Sequence, residues 1–252
     1  MKTASKTDVG RVRTVNEDRA FVQSDWNGYT LAIVADGMGG HQAGDVASSM
    51  AIEWIQRGLR DIEKTMTPEA RERAIREAIG QANERIYEFA GQQEKYHGMG
   101  TTVVLALATE EELTVAHIGD SRAYLFSEGL LRQLTEDHSL VNELVKNGQL
   151  RAEDAERHPR RNVLTRALGT EPNTEMDISH MEWTPGDTLM LCSDGLSGLV
   201  HQVGMMGILS LSADVEAKSE RLVRHALDAG GDDNVTVVLV ENDAIQTAEE
   251  VG

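Results

Sequence analysis

The chain has 252 residues, 40% of them hydrophobic, with 42 acidic against 24 basic side chains and a formal charge of -18. That length suits one large domain with its own core, and the charge repels nucleic acid and anionic membrane surfaces while attracting cations. A lone cysteine, Cys192, excludes an internal disulfide framework and fits a reducing, cytoplasmic compartment.

The N-terminus, MKTASKTDVGRVR, lacks an apolar signal core, and the run from Val203 to Leu211 is far too short to cross a membrane. Tyr29 to Asp36 reads as a buried strand bounded by turn residues. From Ala43 the period becomes helical, with Val46, Ala47, Met50, Trp54 and Ile55 on one stripe. A second helix starts at Thr67-Pro68-Glu69, an N-cap followed by proline, and its stripe is Ile75, Ile79, Ala82, Ile86 and Phe89. Strands follow at Thr101 to Thr109, Leu113 to Asp120 and Arg122 to Ser127; glutamates separate the first two as in a hairpin. Asp137 to Arg166 is polar, helical in places, and rich in His and Arg. A strand at Asp187 to Asp194, a helix around Asp214 to Asp228 and a strand at Asn234 to Glu241 complete the series. Strands and helices do not alternate regularly, so stacked antiparallel sheets covered by helices fit better than a doubly wound parallel sheet. Residues 1–242 are read as one domain and 243–252 as a polar tail.

The stretch IVADGMGGHQAGD, Ile33 to Asp45, holds four glycines within eight residues. Gly39 and Gly44 have P-loop spacing, but Asp45 stands where a phosphate-binding lysine belongs. A dinucleotide fingerprint also fails, because Asp36 precedes the first glycine and the βαβ context is missing. Taken alone, the stretch reads first as a strand-to-helix turn capped by Asp36. The alternative is a metal turn, in which the Asp36 carboxylate and the Gly37 carbonyl face one cation.

The pattern recurs, which changes the balance. Apolar strands end in Asp120 and Asp194, Asp233 stands just before a strand, and Glu17 and Asp18 form a further acidic pair. Such carboxylates would repel one another without cations, and oxygen donors with no His or Cys cluster select magnesium, manganese or calcium. Two such ions about 3.5–4 Å apart can activate a water for in-line attack on phosphorus. Arg13 is the nearby cation whose fork matches phosphate oxygens.

The ordered set RTVNED, VADGMGG, GMGTT, GDSRAY, LCSDGL and GDDNVT, spanning Asp8 to Val240, resembles the protein phosphatase 2C (PPM) family. It is most similar to the compact bacterial members that oppose Hanks-type Ser/Thr kinases. The resemblance implies an α+β fold, a four-layer α-β-β-α sandwich of two antiparallel sheets flanked by helices. It implies a metal-dependent phosphatase acting on phosphoserine and phosphothreonine by direct attack of a metal-bridging hydroxide, with no phosphoenzyme. Cofactors would be two Mn2+ or Mg2+ ions with a third, weaker site. Asp36 would bridge two ions and the Gly37 carbonyl would bind one. Asp194 and Asp233 would complete the first ion's shell, largely alongside water, Glu17 would support the second ion, and Asp120 with Asp194 would bind the third. Asp18 would orient metal-bound waters, Arg13 would grip the phosphate, and Asn234 would hold the loop presenting Asp233. Residues 138–168 correspond to the family's mobile flap. Implied partners are phosphorylated proteins, a kinase and its substrates among them; the chain would be a monomer.

There are departures. Met38 stands where many eukaryotic members carry a histidine proposed as general acid, leaving a water on the third ion as the expected proton source. Gly198 replaces an acidic residue and weakens the expected third site. Cys192 lacks the arginine six residues on that a cysteine phosphatase needs, so it reads as a core residue. His41, His97, His117, His138 and His158 show no tight metal spacing and read mostly as structural or solvent-facing residues; His41 and His138 are the two singled out as candidates for more. Met205 and Met206 read as core or flap packing, Arg157, Arg160 and Arg161 as a solvated face, Glu110 to Glu112 as a hairpin turn, and Asp187 as a turn residue. Two other functions are weighed: a non-catalytic phosphopeptide-binding module, which predicts lost ligands, and a phosphodiesterase or nuclease, which the charge opposes.

Overall fold

The structure is a computed structural model that describes residues 1–40, 43–155 and 157–244. In chain order it contains β1 (Lys2–Asp8), β2 (Asp18–Trp26), β3 (Tyr29–Met38), α1 (Ala43–Gly58), α2 (Pro68–Gln92), β4 (Gly100–Thr101), β5 (Val103–Ala108) and β6 (Glu112–Ile118). Then come β7 (Arg122–Ser127), β8 (Leu130–Gln133), α3 (Leu140–Lys146), α4 (Ala152–Ala155), β9 (Asp177–Glu182), β10 (Thr188–Cys192), α5 (Asp194–Ser197), α6 (Gln202–Leu209), α7 (Val215–Asp228) and β11 (Val235–Glu241).

The strands form two sheets, ordered β1-β11-β10-β7-β8 and β2-β3-β5-β6-β9, and every pairing is antiparallel. The alternation of side chains decides the layers. On β3, Leu31, Ile33 and Ala35 face α1 and α2, among Ile55, Ile75, Ile79 and Ile86. With Val104 of β5, Ala32 and Val34 face the other sheet, where they meet Leu189, Leu191 and Val238. The outer face of that second sheet is covered by α6 and α7, through Met205, Leu209, Leu222 and Val223. The result is the four-layer sandwich the sequence implied. Burial on both faces is why β3 and β5 read as unbroken apolar runs.

Helix ends match their signals. Thr67 caps α2 by accepting from Ala70 N–H, and Asp214 caps α7 by accepting from Ala217 N–H. Met205 belongs to the core under α6 rather than to the flap, and Cys192 is buried in β10. Asp187 closes its turn by accepting from the Thr184 amide at 2.8 Å. The segment expected as the flap, 138–168, holds α3 and α4 and is pinned at its neck, where Thr165 N–H donates to the His138 carbonyl at 2.9 Å and Ser139 bridges Leu164. His41 and residues 245–252 of the tail lie outside the described residues. Among the described residues no helix is long and apolar enough to cross a membrane.

Candidate metal centre

Antiparallel pairing places strand starts and strand ends alternately along one edge. At this edge β2 begins at Asp18, β3 reaches Asp36, β6 runs out into Gly119-Asp120, β10 into Ser193-Asp194, and β11 follows Asp233. Asp18 and Asp36 are direct cross-strand partners. Residues spread from 17 to 233 thereby converge.

The glycines answer to a close crossing of two backbones. A Cβ on Gly37 would fall inside the Gly44 carbonyl and 2.7 Å from the Glu17 carbonyl; one on Gly44 would lie 2.8 Å from Glu17 Oε1. Without side chains here, the start of α1 sits against the end of β3. The Glu17 carboxylate accepts the Gly44 amide at this helix start, a favourable place for negative charge. Asp45, at the position that spoiled the P-loop, pairs with Arg19.

Hydrogen bonds fix the carboxylate bearers. The Asp36 amide donates to Thr102 Oγ1 at 3.0 Å, and the Asp36 carbonyl accepts from Thr101 Oγ1 and Thr102 N–H, each at 2.8 Å. Thr102 and Ser121 hydroxyls share a hydrogen bond of 2.7 Å, linking β5 to the Asp120 loop. Ser193 Oγ donates to Asp18 Oδ2 at 2.7 Å and accepts the Thr236 amide at 3.0 Å. Asn234 Nδ2 donates to the carbonyls of Val9 and Val15 at 2.8 and 2.9 Å, and its Oδ1 accepts the Glu17 amide at 2.7 Å.

The electrostatics record the crowding. Burial, then the charges of Asp18, Asp194, Asp120 and Asp233, hold Asp36 well above the usual carboxylate range. Burial pushes Asp18 up to about 7, against hydrogen bonds from Ser193 and Thr236. Asp120 also rises to about 7, through burial and then Asp194 and Asp137. Asp194 is raised by burial and Asp233, and Glu17 by burial, which outweighs the Gly44 amide and Arg13. Arg13 Nη2 donates to Asp233 Oδ2 at 2.8 Å, at the open side of the cluster. Asp18 is 1% exposed, yet its Oδ1 has no hydrogen-bond partner among the described residues. An orphaned buried carboxylate oxygen among mutually repelling carboxylates fits hard divalent cations, with oxygen the only donor type.

Every residue expected at the site is therefore brought to one sheet edge: Arg13, Glu17, Asp18, Asp36, Gly37, Asp120, Asp194 and Asp233. Sequence reasoning missed the hydroxyls of Thr101, Thr102, Ser121 and Ser193, although they lie within the quoted motifs. It also missed a second cluster. His117 and His138 stack with ring centroids 4.6 Å apart, beside Asp177, the cross-strand partner of His117. The positions are far apart in the chain, so no local spacing could reveal them. Arg157, Arg160 and Arg161 are exposed, as a solvated face requires.

Comparison with known proteins agrees with this edge. The family model "Protein phosphatase 2C" matches residues 10–230. The serine/threonine phosphatase stp of Listeria monocytogenes serovar 1/2a is 42% identical over 250 residues, 99% of each chain. The crystal structure of the Mycobacterium tuberculosis serine/threonine phosphatase PstP/Ppp superposes with a TM-score of 0.86 at 36% identity, covering 95% of this chain and 97% of that one. A structure of the PstP catalytic domain with two manganese ions superposes at 0.83 with 34% identity, covering 95% and 97%. With the motifs, the sheet order and the carboxylate edge all in place along nearly its whole length, the chain belongs to the protein phosphatase 2C family.

Proposed function

We propose that this protein is a metal-dependent serine/threonine phosphatase that hydrolyses phosphoserine and phosphothreonine in proteins. The observation that carries the reading is the carboxylate cluster with its unpartnered, buried Asp18 oxygen. Asp36, the Gly37 carbonyl, Asp194 and Asp233 would hold one ion, and Asp36 with support from Glu17 would hold a second. Asp120 and Asp194 would hold a third more weakly. Bound Mn2+ or Mg2+ would neutralise these carboxylates, polarise the phosphoryl oxygens and make water a better nucleophile. Arg13 trades its contact with Asp233 for two oxygens of the substrate phosphate. Asp18 Oδ1 accepts a hydrogen from water and sets its orientation, while Ser193 holds Oδ2 in place. Met38 has no proton to give, so the leaving oxygen is protonated from another source.

The partners in this reading are phosphorylated proteins, including a Ser/Thr kinase and its substrates; the chain acts as a monomer in the cytoplasm, where a lone buried thiol stays reduced. The test is hydrolysis of p-nitrophenyl phosphate and of a phosphothreonine peptide with Mn2+, Mg2+ or EDTA, beside Asp36→Asn. Turnover that needs the metal and falls by about 100-fold or more in the variant is expected. Metal binding without turnover on either ester would favour the phosphopeptide-binding module instead.

A further inference from the structure

His138 takes both backbone groups of Gly119. Its own N–H donates to the Gly119 carbonyl at 2.9 Å, and its Nδ1 accepts the Gly119 N–H at 3.2 Å. Gly119 has φ +101°, and a Cβ there would lie 2.6 Å from Thr102 Cγ2, so the loop is pressed against the residue that fixes the Asp36 amide. The next residue is Asp120.

The other side of the ring faces the neck of the flap. His138 Nε2 lies 3.3 Å from Asp177 Oδ2, and Arg166 Nη1, which donates to Asp177 Oδ1 at 3.3 Å, stands 3.3 Å from the same Nε2. His117 stacks on the ring and anchors itself through Nε2–H to the Glu136 carbonyl at 2.8 Å. The imidazole is 6% exposed, and burial pushes its pKa below the ordinary value. A neutral ring whose Nδ1 accepts must carry its proton on Nε2, where it donates to Asp177. That tautomer also decides what the cluster is not. His138 has no lone pair left for a metal ion, His117 Nε2 is taken by the Glu136 carbonyl, and a guanidinium faces the same carboxylate.

We propose that His138 is a positioning residue for the Asp120 carboxylate: it clamps Gly119 and ties that loop, through Asp177 and Arg166, to the neck of the flap. The proposal rests on the reading of Asp120 as a ligand of the weaker third ion.

Two substitutions separate the halves of the imidazole. In His138→Asn the amide oxygen replaces Nδ1 as acceptor for Gly119 but nothing reaches Asp177. In His138→Gln the amide nitrogen replaces Nε2 as donor to Asp177, but the side-chain half of the clamp, the acceptor for the Gly119 N–H, is lost. Both remove one side of the ring's bonding, so both lower the melting temperature. Calorimetric titration of the metal-free protein with Mn2+ should leave the weakest binding step near wild type in the Asn variant and weaken it by about 10- to 100-fold in the Gln variant. On a phosphothreonine peptide, kcat should follow the same order with KM little changed. Equal losses in both variants, or losses that follow melting temperature alone, would overturn the proposal. Nitrogen NMR of wild-type His138 is a check without substitution: an Nε2-protonated neutral ring is expected, and an Nδ1-protonated ring would also overturn it. Both the titration and the spectrum remain decisive if wild-type turnover is absent, the outcome that would sink the phosphatase reading itself.

Discussion

Gly37 and Gly44 show how a single side-chain deletion sets the site. Their backbones cross so closely that any Cβ meets a carbonyl or the Glu17 carboxylate. Gly37→Ala should destabilise the fold by at least about 2 kcal/mol, because the backbone itself must move to relieve the overlap. Gly40→Ala is the control: among the described residues a Cβ there meets nothing within 4 Å, so its effect should stay within roughly 0.5 kcal/mol. Urea unfolding of the two variants measures the contrast; equal values would refute a steric role for Gly37. At this scale much was readable in advance. An aspartate at the end of an apolar run, repeated in several motifs, announces a carboxylate edge even before the strands are paired. The hydroxyls behind it were not readable, since Thr102, Ser121 and Ser193 become supports only when β5, β7 and β10 are brought alongside.

Between elements, one side chain does the joining at the centre. Asn234 is 5% exposed and ties the 9–17 segment, which carries Glu17 and Arg13, to the start of β11. Asn234→Ala leaves two carbonyls and an amide without their partner. It should cost at least about 2 kcal/mol and raise the Mn2+ concentration needed for half-maximal activity. Denaturant unfolding and a metal titration of turnover check this, and an unchanged metal requirement would count against the tie. A second joint is the bidentate pair of Arg122 with Asp137, at 2.8 and 2.7 Å, where the flap leaves β8. The helices and the doubly buried strands were legible, because capping residues and apolar runs mark them locally. Strands β1, β2, β8 and β9 were not. Lys2–Asp8, Leu130–Gln133 and Asp177–Glu182 lie on sheet edges and keep polar side chains in solvent, so their pattern shows no clean period. Their strand state comes from the neighbour each pairs with; for β1 and β9 that neighbour, β11 or β6, is distant in the chain, while β2 and β8 are the outer arms of hairpins with β3 and β7.

For the molecule as a whole, the carboxylate edge makes stability depend on pH in an unusual direction. Asp18 and Asp120 titrate near 7 in the folded protein against 3.8 for the free side chain. The folded state therefore binds more protons than the unfolded state between these values. Their contribution is fully present below about 3.8 and is lost as pH rises through about 7. Metal-free protein should melt at a lower temperature at pH 8 than at pH 5. Mn2+ should raise the melting temperature more at pH 8, where it no longer competes with protons. The -18 formal charge pushes the same way, so Asp36→Asn separates the two effects. Metal-free Asp36→Asn should melt above metal-free wild type at pH 8, with the gap closing towards pH 4. Differential scanning fluorimetry in EDTA decides this, and a variant that melts lower at pH 8 would contradict it. The chain also builds its centre from both extremities: β1 lies against β11, Lys2 opposite Glu241, and the carboxylates run from Glu17 to Asp233. Contacts of such long range form last. A ribosome adding about 5–20 residues per second needs roughly ten to fifty seconds to pass from β1 to β11. Throughout that time the growing polypeptide carries most of the motifs and none of the assembled site, so a half-made copy cannot strip phosphate from anything nearby.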